Sequence, residues 1–294
     1  MREGDMKTLF RIFLWIMAII GALCILSSLF SPEKEITKGE RVGIVKISGF
    51  IADAEEAVEA LSSFENDEEV KAVVVRVVSP GGVIAPSQEI HDAVKRLAEK
   101  KPVVASFGAV AASGGYYLAA PATKIVADSG SITGSIGVIM QFSDYEVLLD
   151  KIGMRSRALK SGQFKDAGSP FREMTEADRV VMQGVVDDLF AQFVDAVAQG
   201  RKMPREKVLA LADGRIYSGR QAQKAGLVDE LGGLREAVSA AGELGGLGDA
   251  PPVERWKRKK EGLLPLLIGE DAETVEKLAA PVGAPPARYL LPGW

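Results

Sequence analysis

The chain has 294 residues, 47% hydrophobic and 26% charged, with a formal net charge of -4. That is enough apolar material for one large or two small folded domains, and it excludes a disordered chain. The one basic run, Lys257 to Lys260, is too short to gather nucleic acid, so no nucleic-acid partner is expected. A single cysteine, Cys24, and a single histidine, His91, exclude an internal disulfide and a zinc site of His and Cys ligands. Any Ser-His-Asp triad would have to use His91, which makes a base other than histidine attractive.

From Leu9 to Phe30 the sequence is apolar apart from Arg11, which can snorkel to an interface. About 20 apolar residues span a bilayer, and the run exceeds the h-region of a cleaved signal, so a retained transmembrane anchor is expected. Arg2, Lys7 and Arg11 stand on one side and Lys34, Lys38 and Arg41 on the other, a weak charge bias. The short leading segment favours residues 1–8 in the cytoplasm and everything after Ser31 outside. The chain is thus expected to be a single-pass protein of the cell membrane that contacts lipid through this helix, with a linker over 31–40.

Val42–Ile47, Ala72–Val77, Pro102–Ser106 and Lys124–Ala127 are short runs rich in Val and Ile, and the patterns Ala54–Phe64, Pro86–Lys100 and Tyr116–Ala120 between them are helical. Alternating strands and helices predict an α/β fold with a parallel sheet covered on both faces. The spacing of Ile90, Ala93, Val94 and Leu97 makes an apolar stripe, with His91 beside it toward the polar side, a surface or edge position. Further helices are expected over Glu176–Gln199, Arg205–Leu211 and Ser218–Ala225, the last ending at Gly226. Beyond Gly242 the composition loosens, and residues 243–294 read as a peripheral tail.

The strand pattern at Pro102–Ser106 leads through small residues into Ser113-Gly-Gly-Tyr-Tyr-Leu118. A serine at a strand-to-helix turn exposes its hydroxyl at a helix N-terminus, and the N–H of Gly114 can face a developing oxyanion. The plainer reading is a helix N-cap. Val78-Ser-Pro-Gly-Gly82 ends another strand, and its glycines let the backbone approach a ligand. Both segments fall at carboxyl ends of parallel strands, where α/β sites form. Two lysines, Lys160 and Lys165, lie in a loop-like stretch, and either could act as a base only if made neutral by desolvation. The residues alone do not choose between them.

Five blocks in order, Ser79-Pro-Gly-Gly82, Ala111-Ala-Ser-Gly-Gly-Tyr-Tyr-Leu-Ala119, Ile132-Thr-Gly-Ser-Ile-Gly-Val138, Lys160-Ser-Gly-Gln-Phe-Lys-Asp166 with Gly168-Ser-Pro170, and Gly214 to Asp229, resemble the short form of the signal peptide peptidase A family. These are Ser-Lys proteases of the ClpP/crotonase superfamily, and the likeness covers roughly Arg41 to Gly233. The resemblance implies a ClpP/crotonase-like protease domain over 41–242, with Ser113 as nucleophile, Lys165 as general base and Ser135 as the residue that orients Lys165. It implies an oxyanion hole from Gly82 and Gly114, and no metal or nucleotide cofactor. Val78 departs from the family pattern, which has asparagine there.

The resemblance further implies a cyclic homo-oligomer in which one protomer can lend Lys165 to its neighbour's Ser113. Its implied substrates are signal peptide remnants and other membrane-associated or misfolded peptides. Competing readings are a related Ser-Lys membrane protease acting on stomatin-like partners, a non-catalytic scaffold of the same fold, and a crotonase-like acyl-CoA enzyme.

Overall fold

The structure, a computed structural model, describes residues 15–21, 39–257 and 288–290. Residues 15–21 form a helix (α1); the rest of the expected Leu9–Phe30 anchor lies outside the described residues. Among the described residues, no helix is long and apolar enough to cross a membrane. The helix at residues 15–21 and the domain that begins at Gly39 belong to separate units.

The second unit opens β1 (Arg41–Ser48), α2 (Glu55–Asn66), β2 (Val70–Ser79), β3 (Gly81–Val83), α3 (Ile84–Lys100), β4 (Val103–Ala112) and α4 (Gly114–Ala119). It continues with β5 (Lys124–Ala127), β6 (Ile132–Gly134), α5 (Glu146–Lys151), α6 (Glu176–Gly200) and α7 (Arg205–Leu211). The closing elements are β7 (Ile216–Ser218), α8 (Gly219–Ala225), β8 (Glu230–Leu231), α9 (Leu234–Leu244), β9 (Val253–Arg255) and β10 (Arg288–Leu290).

The main sheet has eight strands, with β7-β6-β4-β2-β1-β9 as its path and β5 and β8 branching from β4. All its pairings are parallel except β6 with β7. Continuous Val and Ile runs suit strands buried on both faces. One face carries the larger core under α2, α3, α4 and α6, including Phe64, Phe107, Tyr116 and Phe193. Beneath the other, Ile44, Val74, Val104 and Val126 meet Ala237 and Ala241 of α9. Burying one such side chain contributes roughly 1.5–3 kcal/mol. This is a ClpP-like α/β fold.

β4 changes partners along its length, Val104–Phe107 pairing β5 and Val110–Ala112 pairing β6. Its second half therefore leaves the β5 branch and delivers Ser113 beside the end of β6. At the start of β1, the Arg41 guanidinium is almost fully enclosed and binds Asp67 at 2.7 Å, Glu69 at 2.6 Å and Glu254 at 2.6 Å. This cluster joins three segments that enter the sheet at its amino-terminal end.

His91 differs from its expected surface position: it is 8% exposed, because the Tyr117 ring covers it at 4.9 Å. Burial pushes its pKa down, partly countered by Asp92. Tyr117 in turn stacks edge-on against Phe193. The histidine is a packing residue between α3 and α4.

Candidate active site

Three turns meet at the carboxyl ends of β2, β4 and β6. Parallel register sets Ser79 beside Ala111 and Ala112 beside Gly134, which brings Ser113, the glycine turn after β2 and Ser135 into one neighbourhood. The Ser113 N–H donates to the Gly134 carbonyl at 2.8 Å, and the Ser135 N–H to the Arg215 carbonyl at 2.8 Å. Neither serine adopts ordinary backbone: Ser113 has φ 54° and Ser135 φ 51°. Left-handed backbone at a non-glycine residue is strained, and strain of this kind gathers at functional sites.

Ser113 is fully enclosed, and its Oγ has no hydrogen-bond partner. A buried hydroxyl without a partner forfeits its hydration, at a cost of about 1–3 kcal/mol. Its carbonyl accepts the N–H groups of Tyr116 and Tyr117 and so begins α4, but its side chain does not cap that helix. The plain N-cap reading thus fails on geometry.

The turn after β2 is held open from within. Ser79 Oγ donates to the Gly49 carbonyl at 2.7 Å and accepts the Gly81 N–H at 3.1 Å. Gly81 has φ 107°, available to glycine alone at little cost. Gly82 bridges Ile51, and a Cβ placed there would lie 2.2 Å from the Ile51 carbonyl oxygen. A Cβ at Gly115 would come within 2.9 Å of the Ser79 carbonyl oxygen, so α4 seats directly on this turn. Along the outer side of β3, β10 runs antiparallel, Tyr289 opposite Gly82 and Leu290 opposite Gly81.

Lys165 is placed differently: it is exposed and does not bond to Ser113 within the chain. The segment that carries it displays Ile139, Phe142, Val147, Leu148, Ile152 and Leu159 to solvent. Lys160, its rival from the sequence, is engaged by Asp166 at 2.6 Å, whereas Lys165 has no ion pair among the described residues.

Sequence reasoning passed over Ser79 as the organiser of the glycine turn, and Asp166, Arg172 and Asp178 around Lys165. Arg172 and Lys160 hold the Asp166 carboxyl well below the usual carboxylate range. Arg172 and Thr175 draw Asp178 down to about 2. Arginine six residues from each of two aspartates is the only trace of this arrangement in the sequence.

The Peptidase family S49 model matches residues 95–248, and the Clp protease model matches residues 41–132. A candidate protease of Synechocystis sp. is 43% identical over 225 residues, covering 76% of this chain and 80% of that protein. A candidate signal peptide peptidase SppA of Enterococcus faecium is 35% identical, covering 83% of this chain and 77% of that protein. The chloroplastic serine protease SPPA of Arabidopsis thaliana is 34% identical, over 68% of this chain and 30% of that protein. With a ClpP-like sheet presenting a strained serine between two glycine turns, the chain belongs to peptidase family S49, the family of SppA-type serine proteases.

Proposed function

We propose that this protease cleaves peptides with a Ser113–Lys165 dyad that two neighbouring copies complete together. The carrying observation is the buried, unpartnered Ser113 Oγ on a strained turn. A serine whose Oγ meets no base among the described residues suits completion from outside. The exposed, unpaired Lys165 lies on a segment whose apolar surface favours covering by a second copy. Cyclic homo-oligomers satisfy such a head-to-tail arrangement in every protomer.

In this reading the neutral Lys165 amine takes the Ser113 proton as Oγ attacks the scissile carbonyl. Lysine works as a base only when neutral, a state favoured by removal from water. The carbonyl oxygen becomes an oxyanion that accepts the N–H groups of Gly82 and Gly114. Gly82 is favoured over Gly81 because the Gly81 N–H is already spent on Ser79. Lys165 then protonates the leaving amine, an acyl-enzyme remains, and Lys165 activates the water that releases it. Ser135, buried next to the Ser113 turn, accepts the orienting role toward the incoming lysine. No step requires a cofactor.

The substrates in this reading are signal peptide remnants and other membrane-associated peptides, met by a chain anchored through residues 9–30 with its protease domain, 41–242, outside the cytoplasm. Cleavage of a quenched hydrophobic peptide tests the chemistry. Ser113→Ala and Lys165→Ala should each lose roughly 10³-fold or more in kcat while remaining folded, and the wild-type rate should rise with pH as the base loses its proton. Mixing the two inactive variants should restore part of the activity. Retained cleavage by either single variant refutes the dyad, and silence on mixing places both residues within one chain.

A further inference from the structure

The segment bearing Lys165 is exposed and apolar, yet its backbone is tightly tied. The Lys165 N–H donates to the Gly162 carbonyl at 3.2 Å, and the Ala167 and Ser169 N–H groups close the next turns onto Phe164 and Asp166. The Phe142 ring packs where a Cβ at Gly168 would stand, 2.5 Å away, and Gly168 has φ 79°. Asp166, one residue past Lys165, accepts Arg172 Nε at 3.1 Å and Nη2 at 2.9 Å, and Lys160 Nζ at 2.6 Å. The other arm of the same guanidinium, Nη1, donates to Asp178 Oδ2 at 2.6 Å.

Asp178 is 1% exposed. It also accepts the Thr175 N–H at 3.1 Å and hydroxyl at 2.8 Å, closing the capping box that begins α6. About 22 Å of helix, at about 1.5 Å of rise per residue, then lead from Asp178 to the buried Phe193, Val194 and Val197. A continuous chain of contacts therefore joins the core to the backbone at Lys165.

We propose that Arg172 is a positioning residue for the general base: by bridging Asp166 to Asp178 it fixes the Lys165 backbone to the first turn of α6. This rests on the reading of Lys165 as the base. Arginine suits the task because its planar fork binds two carboxylates at once, which a lysine ammonium cannot do with the same geometry. Lys160 supports the bridge from the opposite side and is thereby withheld from catalysis. With the bridge cut, Lys165 remains in the protein but wanders from the line of attack, and displacement of about 1 Å costs on the order of 10²-fold in rate.

The test uses the full-length chain, comparing Arg172→Ala, Arg172→Lys and Asp166→Asn with the wild type and Lys165→Ala in peptide cleavage. Oligomeric state and thermal unfolding are followed in parallel. Expected is a fall in kcat of roughly 10–100-fold for Arg172→Ala, with KM within about twofold because peptide binding does not use Arg172. Arg172→Lys should recover part of kcat, and it also answers the question if Arg172→Ala does not fold. A wild-type kcat in folded Arg172→Ala, or a loss borne by KM alone, overturns the positioning role. Undiminished cleavage by Lys165→Ala would instead overturn the dyad itself, whatever Arg172 does.

Discussion

The Ser113 hydroxyl offers a quantitative check, because in this geometry it destabilises the fold. Two terms are visible: an enclosed Oγ with no partner, and φ of 54° at a residue with a Cβ. The first costs about 1–3 kcal/mol and the second on the order of 1 kcal/mol. In a Lys165→Ala background, where no lysine can reach the hydroxyl, adding Ser113→Ala should raise stability by about 1–2 kcal/mol. For a domain of this size that is roughly 2–8 °C in Tm.

Ser113→Gly should gain a similar amount, since release of the backbone strain offsets the greater freedom of glycine in the unfolded chain. With Lys165 intact the gain from Ser113→Ala should shrink, and the difference between the two backgrounds is the Ser113–Lys165 coupling. Chemical denaturation at fixed protein concentration reads all four variants. A loss of stability on adding Ser113→Ala to Lys165→Ala would mean that the hydroxyl is satisfied by another group, and the account of the site as a strained, unpaired nucleophile would fall.

Gly115→Ala places a methyl 2.9 Å from the Ser79 carbonyl oxygen, so α4 must back away from the glycine turn. Stability should drop by about 1–3 kcal/mol and kcat by roughly 10–100-fold, and an unchanged kcat in peptide cleavage would show that the two turns need not touch. Because β10 lies along the free side of β3, a chain ending at residue 287 should bind extended peptides more readily. A KM lowered severalfold against the full chain is the expected sign, and an equal KM would show that the strand does not compete.

The central strands were legible because their chemistry is one-sided. Val and Ile runs buried on both faces can hardly be anything but parallel strands, and Lys124–Ala127 and Arg205–Leu211 have the bounds expected of them. The short strands β3, β6 and β7 were not legible, since the three-residue stretches Gly-Gly-Val, Ile-Thr-Gly and Ile-Tyr-Ser are too short to show a period. β4 runs on to Ala112, six residues past its expected end, because Ala and Gly continue a strand only when neighbours such as Ile132–Gly134 are there to pair.

At the site, the motif blocks pointed to Ser113 and its glycine neighbours, but not to the backbone strain at Ser113 and Ser135, which depends on register with β6. The choice between Lys160 and Lys165 was likewise closed to the residues alone. What the structure adds is their different surroundings, Lys160 engaged by Asp166 and Lys165 without an ion pair among the described residues, a matter of three-dimensional placement. His91 was misjudged because a helix pattern reveals which face is apolar, not which ring from another helix will cover the border of that face.

The Arg41 cluster also bears on how the domain withstands mechanical load. β1 lies between β2 and β9 and runs parallel to both. A pull on the chain just before Arg41 is directed along the strand, so it shears two ladders of hydrogen bonds together and does not peel them one at a time. The first connection to feel that pull is a guanidinium gripped by Asp67, Glu69 and Glu254, which spreads the force over the α2–β2 turn and the edge strand. A protease domain tethered at this end would keep Ser113, at the far end of the strands, out of the line of tension.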